Sequence, residues 1–292
     1  MLVRWLLGCC TFFVWLGSAH ADTAPVDPLS EQASRIEQAL GGRVGAYVMD
    51  TDSGHTWHYH ADQRFPMAST SKVFMCAALL NNDGHDGQQL VSKSPPLSEK
   101  QLVAHSPVTS RYVGQRLTMA QLCSAALSVS DNTAANLILN QLGGPQQVTR
   151  YARSLGDQVT RLDRFEPQLN EAAPGDARDT TSPRAMALSL QRLLLGDALP
   201  TAQRQQLLRW MENDQVADEL LRAVVPQKWQ VADKTGSGFH NTRNIVALLQ
   251  PPQHKPIIVA IYMTGVGQQT AQRDEAIRAL GKTIVGLITE EE

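Results

Sequence analysis

The chain has 292 residues, 42% of them hydrophobic, enough to bury a large core as one large domain or two lobes. Twenty-six Lys and Arg stand against 28 Asp and Glu, a net charge of -2 with no basic block, so neither nucleic acid nor an anionic membrane surface is indicated as a partner.

Met1 to Ala21 carries Arg4, then an apolar stretch from Trp5 to Leu16, then the small-residue pattern Ala19-His20-Ala21. This predicts a signal peptide over residues 1–21, cleavage after Ala21 and export. Leu6-Leu7-Gly8-Cys9 offers a weak alternative, a lipoprotein held through Cys9, but the four residues between Arg4 and Cys9 are too few for an apolar core. No stable membrane anchor is expected. After cleavage two cysteines remain, Cys76 and Cys123, which an exported protein can pair; two buried free thiols are the alternative.

Ser30 to Leu40 has helical apolar spacing and ends at Gly41-Gly42. Val44 to Met49 and Thr56 to Tyr59 flank the turn-rich Asp50-Thr51-Asp52-Ser53-Gly54, which predicts an antiparallel hairpin. His55, His58 and His60 do not share one strand face and have no carboxylate or thiol at ligand spacing, so no metal is expected.

From Arg64 to Leu80 the pattern turns helical, with Val73, Cys76, Ala77 and Leu80 at three- and four-residue spacing. A helix starting near Ser69 holds the Lys72 ammonium within reach of the Ser69 hydroxyl, a nucleophile beside a base. Free N–H groups at the helix start suit an oxyanion, and so acyl transfer. Taken alone, the pair more often marks a helix N-cap and a surface lysine, so the rest of the chain decides.

Thr118 with Gln121 predicts a capping box opening Met119 to Val129, and Asn132 to Leu142 is a second helix closed by Gly143-Gly144. A polar stretch from Arg161 to Thr181 leads to Ser182-Pro183 and a helix reaching Leu195, followed by a helix over Thr201 to Met211. Then the period returns to two. Trp229 to Lys234, Asn244 to Leu249 and Ile257 to Met263 read as strands, joined by turns at Gly236-Ser237-Gly238 and Pro251-Pro252, before a last helix over Thr270 to Ile288.

The expected fold is therefore α/β (α+β) and two-lobed: an antiparallel five-stranded sheet flanked by terminal helices, plus an all-helical domain. Residues 22–61 and 213–292 form the sheet lobe, residues 62–212 the helical lobe with a loop at 161–179, and an active-site cleft lies between them.

Three motifs occur once each and in order: Ser69-Thr70-Ser71-Lys72, Ser130-Asp131-Asn132 and Lys234-Thr235-Gly236. Each of the last two is expected by chance in about one chain in twenty, so the three together are not coincidental. The set resembles the active site of serine β-lactamases and penicillin-binding proteins, and Glu166-Pro167-Gln168-Leu169-Asn170 narrows the resemblance to class A β-lactamases. It extends over essentially the whole mature chain.

That resemblance implies a metal-free, cofactor-free, monomeric periplasmic hydrolase of a Gram-negative bacterium, acting on small-molecule β-lactams. It implies that Ser69 attacks the lactam carbonyl and that the Ser69 and Ser237 amides hold the oxyanion. Lys72 and Glu166 bracket the serine, with Glu166 the base for deacylation through a water held by Asn170. Ser130 passes a proton to the leaving nitrogen beside Lys234. Asn132 bonds the substrate's side-chain amide, while Lys234, Thr235, Gly236, Ser237 and Arg243 form the carboxylate end of the site.

His105 stands where the family often has an aromatic at the cleft mouth. Asp131 is expected to hold its turn, Arg164 and Asp179 to pin the Glu166 loop, and Cys76 and Cys123 to pair, as they often do in the family. By resemblance the Glu166-Pro167 bond is cis. Carbapenem-hydrolysing members commonly have cysteines where this chain has Ala68 and Gly238, so broad carbapenem activity is not expected. Ser237 is found in members active on cephalosporins, so penicillins and early cephalosporins are the expected substrates, with oxyimino compounds left open. The rival readings are a D,D-peptidase of the same fold and a non-catalytic periplasmic binding protein.

Overall fold

The computed structural model describes residues 27–83 and 89–289; the proposed signal peptide, with Cys9 and Cys10, lies outside the described residues. Asp27 opens α1 (Pro28–Leu40), its carboxylate accepting the Ser30 amide, and Gly41 ends it at φ 72°, a left-handed value that suits glycine. The helix starts two residues before the expected Ser30, because Pro28 can occupy a first turn that needs no backbone donor.

Five strands form one sheet: β1 (Arg43–Asp50), β2 (Thr56–Tyr59), β5 (Gln230–Gly238), β6 (Thr242–Gln250) and β7 (Ile257–Thr264). Their order is β2-β1-β7-β6-β5 and every pairing is antiparallel, so the last strand in the chain closes against the first, Tyr47 opposite Ala260. The expected sheet, completed by both termini, is the one observed.

Both faces of this sheet are covered, which is why its strands read as apolar runs. Along β7, Ile257, Val259, Ile261 and Met263 pack into one hydrophobic cluster, while Ile258, Ala260 and Tyr262 pack into the other. The first cluster is closed by α1, through Leu29, Ala33 and Ile36, and by α8 (Thr270–Thr289), through Ile277, Leu280 and Ile284.

The second cluster joins the sheet to the helical body, built from α2 (Ser71–Asn82), α3 (Met119–Ser128), α4 (Asn132–Leu142), α5 (Pro145–Ser154), α6 (Pro183–Leu194) and α7 (Thr201–Glu212). At its centre α2 is buried at every position from Ser71 to Leu80. The Cys76–Cys123 disulfide ties α2 to α3, with Cα atoms 5.7 Å apart. A small two-stranded sheet, β3 (Phe65–Pro66) with β4 (Thr180–Thr181), joins the chain before α2 to the end of the 161–179 loop.

Two expectations are corrected. Gly236-Ser237-Gly238 is not a turn: β5 continues through it to Gly238, and the reversal comes at His240 and Asn241, both left-handed. The glycine at 236 serves a close approach instead, since a Cβ there would lie 2.8 Å from the Met67 carbonyl oxygen. Ser69 does not begin an α-helix either; it sits in a 3-10 turn, Ala68–Thr70, and α2 starts at Ser71. The helix α5 has no counterpart in the sequence reading, although Gly143-Gly144 before Pro145 is a stop followed by a start.

Candidate active site

The 3-10 turn presenting Ser69 is held by two strands of the sheet. Asn244 on β6 donates to the carbonyls of Pro66 and Met67 at 2.8 and 3.0 Å, and the Thr70 hydroxyl meets the Tyr262 hydroxyl of β7 at 3.0 Å. Ala68 adopts a left-handed φ of 47°, which costs a non-glycine residue energy and persists only where the surroundings hold it. Such over-determined backbone is a feature of reactive sites.

One helical turn on, the Lys72 ammonium is fully buried among oxygens. It donates to Ser69 Oγ at 3.0 Å, to the Ser130 carbonyl at 2.8 Å and hydroxyl at 3.2 Å, and to Asn132 Oδ1 at 2.7 Å. Glu166 Oε1 lies 3.0 Å from the same nitrogen. Ser69 and Glu166 are thus separated by a single ammonium group. Burial pushes the Lys72 pKa below the ordinary lysine range, and the charge of Glu166 opposes that shift.

Ser130 and Asn132 reach this ammonium because Asp131 organises the turn before α4. Its carboxylate accepts the amides of Ala134, Val108 and Thr109 and the Thr109 hydroxyl, which fastens the preceding loop to the helix start. Ser130 is left-handed at φ 60°, and Asn132 is anchored by Nδ2 donating to the Ala104 carbonyl at 2.9 Å.

Glu166 arrives on the 161–179 loop, whose ends are clamped together. Arg164 Nε donates to Asp179 Oδ2 at 2.5 Å, and Asp179 Oδ1 accepts the amides of Asp163 and Arg164 at 2.7 and 3.0 Å. Within the loop, Asn170 Nδ2 donates to Glu166 Oε2, and the Glu166-Pro167 bond is cis. Asn136 of α4 grips the Glu166 backbone twice, accepting its N–H and donating to its C=O, each at 2.8 Å.

The third wall is β5. Lys234 is fully buried, and burial lowers its pKa to about 8 against the opposing charge of Asp214. Three residues along, Ser237 pairs in register with Arg243 of β6, whose guanidinium donates to Ser237 Oγ at 2.8 Å and to Asp274 of α8 at 2.7 Å.

These walls enclose a cavity of about 250 Å³ lined by Ser69, His105, Ser130, Asn132, Asn170, Val216, Thr235, Ser237 and Arg243. Hydroxyls, amides and one guanidinium face the opening, while Lys72, Glu166 and Lys234 lie behind them. The arrangement suits an acyl transfer in which hydroxyls, amides and a guanidinium meet the substrate and buried charges stand behind the nucleophile.

A model of the β-lactamase enzyme family matches residues 28–288. The chain is 47% identical to β-lactamase AER-1 of Aeromonas hydrophila, covering 84% of this chain and 81% of that protein, and 42% identical to a β-lactamase of Rhodobacter capsulatus, covering 94% and 93%. The solved class A β-lactamase of the last common ancestor of Gram-negative bacteria superposes with a TM-score of 0.87 at 47% identity, over 89% of this chain and 99% of that one. This chain belongs to the class A β-lactamase family.

In this class A β-lactamase scaffold, the residues expected to touch substrate line the cavity except Lys234, which is fully buried behind it, and Gly236, which lies where β5 passes the Met67 carbonyl. His105 is among the lining residues, left-handed at φ 60° with its Nε2 3.1 Å from the Val129 carbonyl. Sequence reading missed Asn136, Val216, Asp214, Asn244 and Asp274, which lie outside the motifs. Only contacts across the fold reveal them, such as Asn136 with Glu166 over thirty residues. Among the described residues no group of three or more His, Cys, Asp or Glu is placed to hold a metal ion, and no helix is long and apolar enough to cross a membrane.

Proposed function

We propose that the protein hydrolyses the amide bond of penicillins and early cephalosporins through an acyl-enzyme on Ser69, and so confers resistance to them. Ser69 Oγ attacks the lactam carbonyl as its proton passes to the Lys72–Glu166 pair, and the Ser69 and Ser237 amides steady the oxyanion. The C–N bond then breaks, and the leaving nitrogen takes a proton through Ser130. In the second half, Glu166 removes a proton from a water held with Asn170. That water attacks the ester, and Ser69 leaves with a proton returned to it.

At the other end of the cleft, Lys234, Thr235, Ser237 and Arg243 receive the substrate carboxylate, and Asn132 bonds its side-chain amide. His105 contacts substrate at the mouth. The cleft separates the sheet lobe (22–61 with 213–292) from the helical lobe (62–212), and the protein acts as an exported monomer.

The observation that carries this reading is the Lys72 ammonium lying 3.0 Å from both Ser69 Oγ and Glu166 Oε1, because it links the nucleophile to the only buried glutamate beside it among the described residues. Substrate range follows from positions 68 and 238. A Cβ at Gly238 would lie 3.7 Å from that of Ala68, close enough for a disulfide, yet neither residue is cysteine. Broad carbapenem hydrolysis is therefore not expected.

The test is intact mass after benzylpenicillin. Glu166→Ala is expected to accumulate a stable adduct on Ser69 while the wild type turns over benzylpenicillin and nitrocefin. Equal trapping in both proteins would indicate a D,D-peptidase, and an unreacted Ser69 a binding protein.

A further inference from the structure

Lys234 is a buried cation whose Nζ has no hydrogen-bond partner among the described residues. The same is true of one oxygen of Asp214, in the segment after α7: Oδ2 is buried without a partner and lies 3.9 Å from Lys234 Nζ. Both side chains are fully shielded from solvent.

The two oxygens of Asp214 are used differently. Oδ1 accepts the amide of Val216 at 2.8 Å, and Val216 lines the reactive cavity. Oδ2 is left facing the ammonium, beyond hydrogen-bond length. At that separation a carboxylate offsets the cost of burying a positive charge without consuming any of its three N–H donors.

Of the other charges around Lys234, only Asp233 acts in the same direction, and less strongly. Lys72 of α2 and Arg243 of β6 are cations and act against its charge. Asp233, the neighbour on β5, is taken up by Arg222, which donates to it from Nε at 3.1 Å and from a terminal nitrogen at 2.7 Å. Asp214 is faced in turn by Lys234, Arg222 and Asp233. It is the carboxylate aimed at Lys234 whose remaining oxygen is uncommitted.

We propose that Asp214 is a positioning residue that keeps Lys234 charged and its donors free for the substrate carboxylate. This rests on the reading that Lys234 receives that carboxylate. Removal of the negative charge leaves Lys234 buried beside two cations, so it gives up its proton at a lower pH.

The experiment is the pH profile of kcat/KM for benzylpenicillin between pH 6 and 10, which reports groups in the free enzyme. The wild type is expected to lose activity as pH rises past about 8. In Asp214→Asn that limb moves down by about one unit or more, so the loss is smallest at pH 6 and reaches roughly five-fold at pH 8. Asp214→Glu, which restores the charge, moves the limb back up. In a Lys234→Arg background, where the cation does not titrate, Asp214→Asn leaves the shape of the alkaline profile unchanged.

A limb that stays in place in Asp214→Asn, or a loss equal at every pH, overturns the proposal. Should the Asn variant fail to fold, Nζ-labelled lysine NMR of the wild type decides. The Lys234 resonance must shift as the buried acids ionise and again near pH 8, and a single transition near the ordinary lysine value overturns it. A wild type without β-lactam turnover at any pH would instead remove the proposed function, a different outcome from either.

Discussion

Lys72 and Lys234 are both fully buried, yet their surroundings differ completely. Lys72 has five oxygens within hydrogen-bond or ion-pair distance to share its three N–H donors, whereas Lys234 has no hydrogen-bond partner among the described residues. In the proposed mechanism the first is a fixed element of the proton path, and the second keeps its donors for the substrate. Glu166 depends likewise on a neighbour that no motif contains, because Asn136 holds its backbone at both polar groups. Asn136→Ala removes two hydrogen bonds and should lower stability by about 1–3 kcal/mol, measured by urea unfolding. Deacylation should slow more than acylation, since the base loses its placement while Ser69 does not. The check is acyl-enzyme accumulation by mass at steady state, which should exceed that of the wild type.

The loop at 161–179 behaves as an element of its own, with a neck, a short 3-10 turn at Gln168–Asn170 and little regular structure. Its neck is the Arg164–Asp179 pair, in which Asp179 is almost completely buried and burial pushes its pKa up against the stabilising bonds it accepts. Arg164→Ala leaves that carboxylate with its two backbone donors but without its cation. The expected loss is on the order of 2 kcal/mol, short of the roughly 3–5 kcal/mol for a fully abandoned buried charge. A lower urea midpoint with faster proteolytic cleavage inside the loop would show it, and an unchanged midpoint would deny the neck its pinning role.

For the molecule as a whole, buried charge sets the dependence of stability on pH. Asp233 is raised by burial to about 6 from an ordinary 3.8, so the folded state binds more protons between those values and stability falls as pH rises through that window. Lys234 is lowered to about 8 from 10.5, so between those values the unfolded chain binds more protons and stability rises with pH. Asp233→Asn should therefore gain on the wild type between about pH 4 and pH 6, by on the order of 2–3 kcal/mol, whatever constant offset the lost Arg222 bonds add. Urea midpoints of both proteins at the two pH values measure it, and parallel lines would refute it.

The order of strands and helices was legible in the residues because each element carries its own periodicity. The apolar run over residues 257–263 and the Thr118–Gln121 capping box each needed nothing from elsewhere in the chain. The candidate reactive side chains stood out for a related reason: Ser69, Ser130, Glu166 and Lys234 sit in short motifs whose spacing is itself the signal. Contacts between distant segments decided the rest. Gly236-Ser237-Gly238 has the composition of a turn, yet it is strand, paired with β6, and residue 236 is glycine because the Met67 carbonyl passes too close there for a side chain. Asn136, Asn244 and Asp214 carry no local signature, since a polar side chain in a helix, strand or loop reads the same whether it faces solvent or a buried partner. Local patterns record the conformation of the backbone, and only the folded chain determines which buried groups meet.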